Sequence, residues 1–163
     1  MTLLAIGMTP KISIGAGTKA IAEFNDWSAH QTGSVKNKIC YMHGEPKKST
    51  GKYRKRGATY LQVAHRKKER IKNEVSVTAG YTYKKNSGVE IEIKGKRFSL
   101  YTNTGTAWVS EASKEAELVA AMMAGKIMII TGISSRGTRT KDRYSLSGFT
   151  AAYNKISKSC GIK

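Results

Sequence analysis

The pattern of apolar and polar positions that organises the chain lies near its C-terminal end, from Lys126 to Cys160. Lys126 to Ile133 is a short continuous apolar run, Lys-Ile-Met-Ile-Ile-Thr-Gly-Ile, which predicts a strand buried on both faces. Ser134 to Thr138 follows as turn chemistry, with small hydroxyls and a glycine but no apolar anchor. Arg143 to Ser147 then alternates, with Tyr144 and Leu146 on one face, and predicts a return strand. Beyond Gly148, Phe149, Ala152, Tyr153 and Ile156 recur at i, i+3, i+4 and i+7, the period of a short amphipathic helix. That helix runs straight into Cys160. A hairpin, a docking helix and a terminal cysteine make a closing module. It needs an upstream target, for which Cys40 is the candidate.

The upstream pattern is a series of short strands. Phe24 to His30, around Trp27, predicts the first, and Asn37 to His43 the second, with Ile39 and Tyr41 facing opposite Cys40 and Met42. Glu45 to Gly51 reads as a loop. Thr59 to Arg66 puts Leu61 and Val63 on one face. Glu74 to Ala79 turns Val75, Val77 and Ala79 inward, and Val89 to Lys94 does the same with Val89, Ile91 and Ile93. Gly95-Lys96 predicts a type II′ hairpin, returning through Phe98 and Leu100. Asn103 to Gly105 turns again, into a strand carrying Trp108. Ser110 is placed to cap a helix over Ala112 to Met123, with Glu111 at its positive end and Gly125 as its stop. Trp27 and Trp108 are expected as core plugs. Many short strands at this spacing predict a mainly β, single-domain β-sandwich, with the two short helices covering an edge or an end. Residues 1–22 carry little pattern and read as a flexible lead-in, which leaves 23–163 for the sandwich domain.

Composition sharpens this in two ways. The chain has 163 residues and is 39% hydrophobic, enough for one domain with a substantial core. No apolar run approaches the ~18 residues needed to span a bilayer. The charge is the outlier, with 29 Lys and Arg against 11 Asp and Glu, a formal net charge of +18. Such a surface attracts polyanions, whether nucleic acid, anionic lipid, sulfated glycan or acidic protein. The densest basic segment holds Lys47, Lys48, Lys52, Arg54, Lys55 and Arg56. A second holds Arg66, Lys67 and Lys68, and a third is Arg136, Arg139, Lys141 and Arg143 on the final hairpin. Arg forks in that hairpin suit phosphate or sulfate. The plainer reading is a polar hairpin in which Asp142 bonds a neighbouring Arg. The two cysteines read equally as separate buried thiols in a reducing compartment or as one bridge in an oxidising one.

Catalytic and cofactor patterns are weak. Gly15 to Ala20 fits a loose G-x-G-x-x-A pattern, but Asn25-Asp26 and a strand follow where a dinucleotide loop needs a long helix. His43-Gly44-Glu45 resembles half of a zinc deaminase motif without its cysteine pair, and His30 and His65 are scattered. No nucleophile elbow or triad signature is present. Glu90 and Glu92 share a strand face, yet alternation makes them the solvated side of a hairpin, paired with Lys94, Lys96 or Arg97. Tyr53, Tyr81 and Tyr83 lie beside basic residues, as in proteins that stack bases, and equally suit a strand rim. The expectation is therefore a noncatalytic protein without metal or cofactor. It would act through its basic loops on anionic molecules. The alternative is a cytoplasmic nucleic-acid-binding protein with free thiols.

The ordered motifs resemble the invasion associated locus B family of exported bacterial proteins. The resemblance is carried by Asp26-Trp27, Cys40, Arg56-Gly57, Glu74 to Tyr81, Ala107-Trp108, Met122 to Gly125, Ser134 to Thr138, Asp142 to Phe149 and Cys160. Ser134 to Phe149 is its most specific piece. It implies an immunoglobulin-like sandwich, a paired Cys40 and Cys160, a periplasmic or envelope location reached by secretion, and a link to host-cell entry, notably into erythrocytes. It implies no catalytic residues, and it directs the basic loops toward anionic envelope or host-surface molecules. A recognisable signal peptide is missing from the N-terminal stretch.

Overall fold

The computed structural model describes residues 17–163. The first two positions of the glycine pattern, Gly15 and Ala16, and most of the lead-in lie outside the described residues. In chain order the elements are β1 (Lys19–Phe24), β2 (Trp27–Thr32), β3 (Ile39–Gly44), β4 (Lys48–Thr50), β5 (Tyr60–Arg66), β6 (Ile71–Thr78), β7 (Val89–Ile93), β8 (Lys96–Asn103), β9 (Thr106–Trp108), α1 (Ala112–Ala124), β10 (Ile127–Ile133), β11 (Arg139–Ser145) and α2 (Phe149–Cys160). The strands pair in the order β1-β2-β3-β5-β6-β9-β8-β7-β10-β11-β4, every pair antiparallel. β8 belongs to both layers of this mainly β, sandwich-like domain. Its first part, Lys96 to Leu100, pairs with β7, and its last part, Tyr101 to Asn103, pairs with β9.

Alternation decides which side chains enter the core. Val75 and Val77 of β6, Val89, Ile91 and Ile93 of β7, and Phe98 and Leu100 of β8 all turn inward as the sequence predicts. β10 differs from expectation. Met128 and Ile130 are buried, whereas Ile127, Ile129 and Ile133 on the opposite face are only half-buried. The helices pack on the other layer, so this side of β10 lacks a full cover.

The helices do not close an edge or an end, as the sequence predicted. α2 lies across β1, β2, β3 and β5, and α1 packs on β6 and touches α2. The reason is the buried stripe of α2, formed by Phe149, Ala152, Ile156 and Cys160, which needs an apolar floor. Trp27 and Met42 help supply it, and the Trp27 indole meets the Phe149 ring edge-on at 4.9 Å. Trp27 is thus a core plug, but Trp108 is only half-buried and stands outside the core cluster. Cys40 and Cys160 form a disulfide across 120 residues, fixing the end of α2 to the start of β3. In the chain-entropy account a loop that long is worth about 5 kcal/mol.

Five local expectations shift. The stretch Phe24 to His30 is a hairpin and not one strand: β1 ends at Phe24, Asn25 takes φ 51°, and β2 starts at Trp27. Lys19 to Ala22, assigned by pattern to the lead-in, belongs to β1. This is an edge strand with a bulge at Ala20/Ala22, so its apolar alternation is blurred. The loop Glu45 to Gly51 contains β4, three exposed polar residues held to β11 by backbone pairing and by the Thr50 hydroxyl, which donates to the Lys141 carbonyl at 3.3 Å. The β7–β8 turn is Lys94-Gly95, both at positive φ (49° and 77°), which makes it type I′ and one residue earlier than expected. α1 is preceded by Glu111, not Ser110, with no side-chain cap bond. Gly125 does end it, for want of space: a Cβ there would sit 2.7 Å from Ile93 Cγ2.

Candidate functional site

Two of the predicted basic segments meet in one cleft. The strap after β4 and the turn between β10 and β11 form its walls, and the chain after β6 forms its floor. The cleft encloses ≈ 630 Å³. Lys52, Arg54, Lys55 and Arg136 line it, with Tyr53 and Tyr81 and the hydroxyls of Thr82, Ser134, Ser135, Thr138 and Thr140. Among the described residues, no carboxylate lines it. Among the described residues, none of those four cations takes part in an ion pair.

The walls are held by a buried charge pair. Arg56 donates from Nη1 and Nη2 to the two carboxylate oxygens of Asp142, both at 2.6 Å, and from Nε to the Ala79 carbonyl at 2.6 Å. Its side chain is 5% exposed and that of Asp142 is 4% exposed, so solvent does not compete for the fork. Burial disfavours the guanidinium charge, but the bonds to Asp142 outweigh it and hold the pKa above its ordinary value. The guanidinium also stacks over Tyr53 and Tyr81, at 5.5 and 5.0 Å from the ring centroids. Next to it the Gly57 N–H donates to the Gly80 carbonyl at 2.9 Å. Gly80 has φ +72° and its backbone lies against that of Gly57, leaving no room for a side chain. Tyr81 and Thr140 share a hydroxyl hydrogen bond of 2.7 Å. Burial pushes the Tyr81 phenol up, partly offset by that bond and by Arg56. In the facing turn the Ser134 N–H donates to the Thr138 carbonyl, and the Ser135 N–H donates to the Thr82 carbonyl.

The structure therefore sorts the predicted basic residues into separate groups. Lys52, Arg54, Lys55 and Arg136 converge. Arg56 is withdrawn as a surface contact, because both of its terminal nitrogens are committed to Asp142. Lys47 pairs with Asp26, whose carboxyl is held below its usual value first by that bond. Arg139, Lys141 and Arg143 point outward along β11, with Lys48 of β4 opposite Arg143. Arg66 pairs with Glu74 at 2.9 Å, and Lys67 and Lys68 are exposed in the β5–β6 turn, outside the cleft.

Asp142 was expected to bond an Arg of its own hairpin. Its partner instead lies 86 residues upstream. The signal was available: Asp142 shares its strand face with Thr140 and Tyr144, so it had to point inward and needed a buried cation. Tyr83 is buried and unavailable for stacking, which raises its phenol pKa, whereas Tyr53 is 38% exposed at the cleft. The predicted pairing of the Glu90–Glu92 face is present, both carboxylates reaching Arg97 at 3.8 and 3.4 Å. His43 and Glu45 are 3.3 Å apart. Among the described residues no group of three or more His, Cys, Asp or Glu side chains converges on a metal position. No helix among them is long and apolar enough to cross a membrane.

These features define a disulfide-stapled, two-layered β protein with a carboxylate-free basic cleft. Residues 27–157 match the model of the Invasion associated locus B (IalB) protein family, and the chain belongs to that family. No curated protein and no solved structure gives a significant match.

Proposed function

We propose that this protein is a noncatalytic, exported envelope protein that binds anionic partners through its basic surface in support of host-cell entry. The observation that carries this reading is the Cys40–Cys160 bridge in a chain of this family. A bridge between the third strand and the last helix persists in an oxidising compartment and is lost in a reducing one. Its presence argues against the cytoplasmic nucleic-acid-binding alternative, which calls for free thiols. The cleft and the net charge of +18 supply the attraction for anions, and the family supplies the link to invasion. The test is to take protein from its native compartment, denature it without reductant and treat it with a maleimide. Neither thiol should react. Full labelling of both would overturn the exported reading. Retention on an immobilised sulfated polysaccharide, released by salt, tests the surface.

A further inference from the structure

We infer that the cleft between the Lys52–Lys55 strap and the Ser134–Thr138 turn is a binding site for a sugar bearing a sulfate or phosphate monoester. This rests on the anionic-partner reading and narrows it to one place and one ligand chemistry.

Three observations set the cleft apart from the general basic surface. First, it is the meeting point of four cations without a carboxylate, whereas the hollow beside Trp27 is lined by Glu23, Asp26 and Glu45. An anion entering the cleft meets no opposing charge. Second, its walls are built before any ligand arrives. Arg56 is locked to Asp142, Tyr81 to Thr140, and the Ser135 and Ser134 backbones to Thr82 and Thr138. Little ordering remains to be done on binding, and preorganisation raises affinity. Third, the lining suits a sugar. The exposed hydroxyls of Thr82 and Ser135 and the half-buried one of Thr138 can exchange hydrogen bonds with a polyol, and Tyr53 offers a partly exposed ring on which a pyranose face can lie. Arg54 and Arg136 offer planar forks for a sulfate or phosphate group.

The size also favours a short saccharide over a nucleic acid. A cleft of ≈ 630 Å³ lies in the range of small-ligand sites. Nucleic acid is held instead along an extended basic track with successive stacking platforms. Here Tyr83 is buried and Tyr81 is half-buried and bonded to Thr140, which leaves Tyr53, with Arg56 over one face, as the accessible ring of the three.

The test is titration of the intact, oxidised protein with a sulfated disaccharide and with a sugar phosphate, followed by amide NMR. Shifts are expected at Thr82, Ser135, Arg136, Gly137 and Thr138, with none in the Arg66–Arg70 turn. Arg136→Gln and Arg54→Gln should each weaken binding roughly tenfold, and K67Q/K68Q should leave it unchanged. Tyr53→Ala should weaken the sulfated sugar about fivefold but not inorganic sulfate. Vesicles carrying a phosphorylated glycolipid, set against soluble sulfated oligosaccharide, assign the source of the sugar, and binding to either supports the site. Shifts spread over all lysine-rich segments, or equal competition by duplex DNA, would overturn the cleft assignment while leaving a basic anion-binding surface intact. No binding of any polyanion at physiological salt would remove both.

Discussion

Two basic runs of similar composition, Lys52–Arg56 and Arg66–Arg70, meet different fates in this fold. The first is wrapped against the final hairpin and has one member, Arg56, buried against Asp142. The second is a solvated turn, beginning one residue after the buried His65. Each run adjoins a tie between an early and a late part of the chain. Beside the first the tie is ionic, Arg56 to Asp142. Beside the second it is covalent, Cys40 to Cys160, with the Cys160 Sγ 3.8 Å from the His65 carbonyl. The difference teaches that a basic run gains geometry when one of its members is neutralised inside the protein. The others are then aimed into the same space.

The comparison breaks most severely at Asp142. Replacing it with Ala strands the buried guanidinium, with an expected loss of about 3–5 kcal/mol in urea unfolding. Changing both partners together, Arg56→Met with Asp142→Leu, should recover most of that loss, which separates the cost of an orphaned charge from the value of the pair. K67Q/K68Q, in the solvated turn, should stay within about 0.5 kcal/mol of the parent. The covalent tie comes next. Cys40→Ser with Cys160→Ser should cost about 2–5 kcal/mol in the same measurement.

The smallest of the three effects is a pH dependence at the stapled end. His65 is fully buried, accepts a hydrogen bond at Nδ1 from the Asn73 N–H at 3.2 Å and bonds the Ser157 hydroxyl through Nε2 at 3.0 Å. Burial, with help from Lys72, lowers its pKa to about 4 from 6.5. The unfolded chain therefore takes up the proton first. Stability from this group is complete above pH 6.5 and is lost as pH falls from 6.5 toward 4, by up to roughly 3 kcal/mol. His65→Gln should flatten that part of the stability–pH curve, while the cleft variants leave it in place.

What the sequence made legible follows from the strength of each local signal. α2 announces itself because apolar residues recur there at a helical period, and β10 because its apolar run is continuous. β11 was legible only at its end: the return strand expected over Arg143 to Ser147 runs instead from Arg139 to Ser145, and its first four residues are polar. The two cysteines were readable as partners once the order of motifs was recognised. β4 was hidden because an edge strand buried on neither face needs no apolar alternation, and β1 because its bulge blurs the alternation of side chains that are only half-buried. The separation of Arg56 from Arg54 and Lys55 was also invisible. Three adjacent basic residues look alike until the inward face of β11 supplies one carboxylate for one of them. Trp108 misled for a related reason: its size suggested burial, but its strand face points away from the core cluster.

The long reach of the two ties sets the order in which the molecule can mature. Arg56 waits for a partner 86 positions later, and Cys40 for one 120 positions later. A nascent chain threaded out from its N-terminus therefore has neither clasp until its last quarter arrives. Contacts so distant in sequence form late and slowly. The first half should travel as a pliable, protease-sensitive strand, and the finished shape should snap shut only on arrival of the tail.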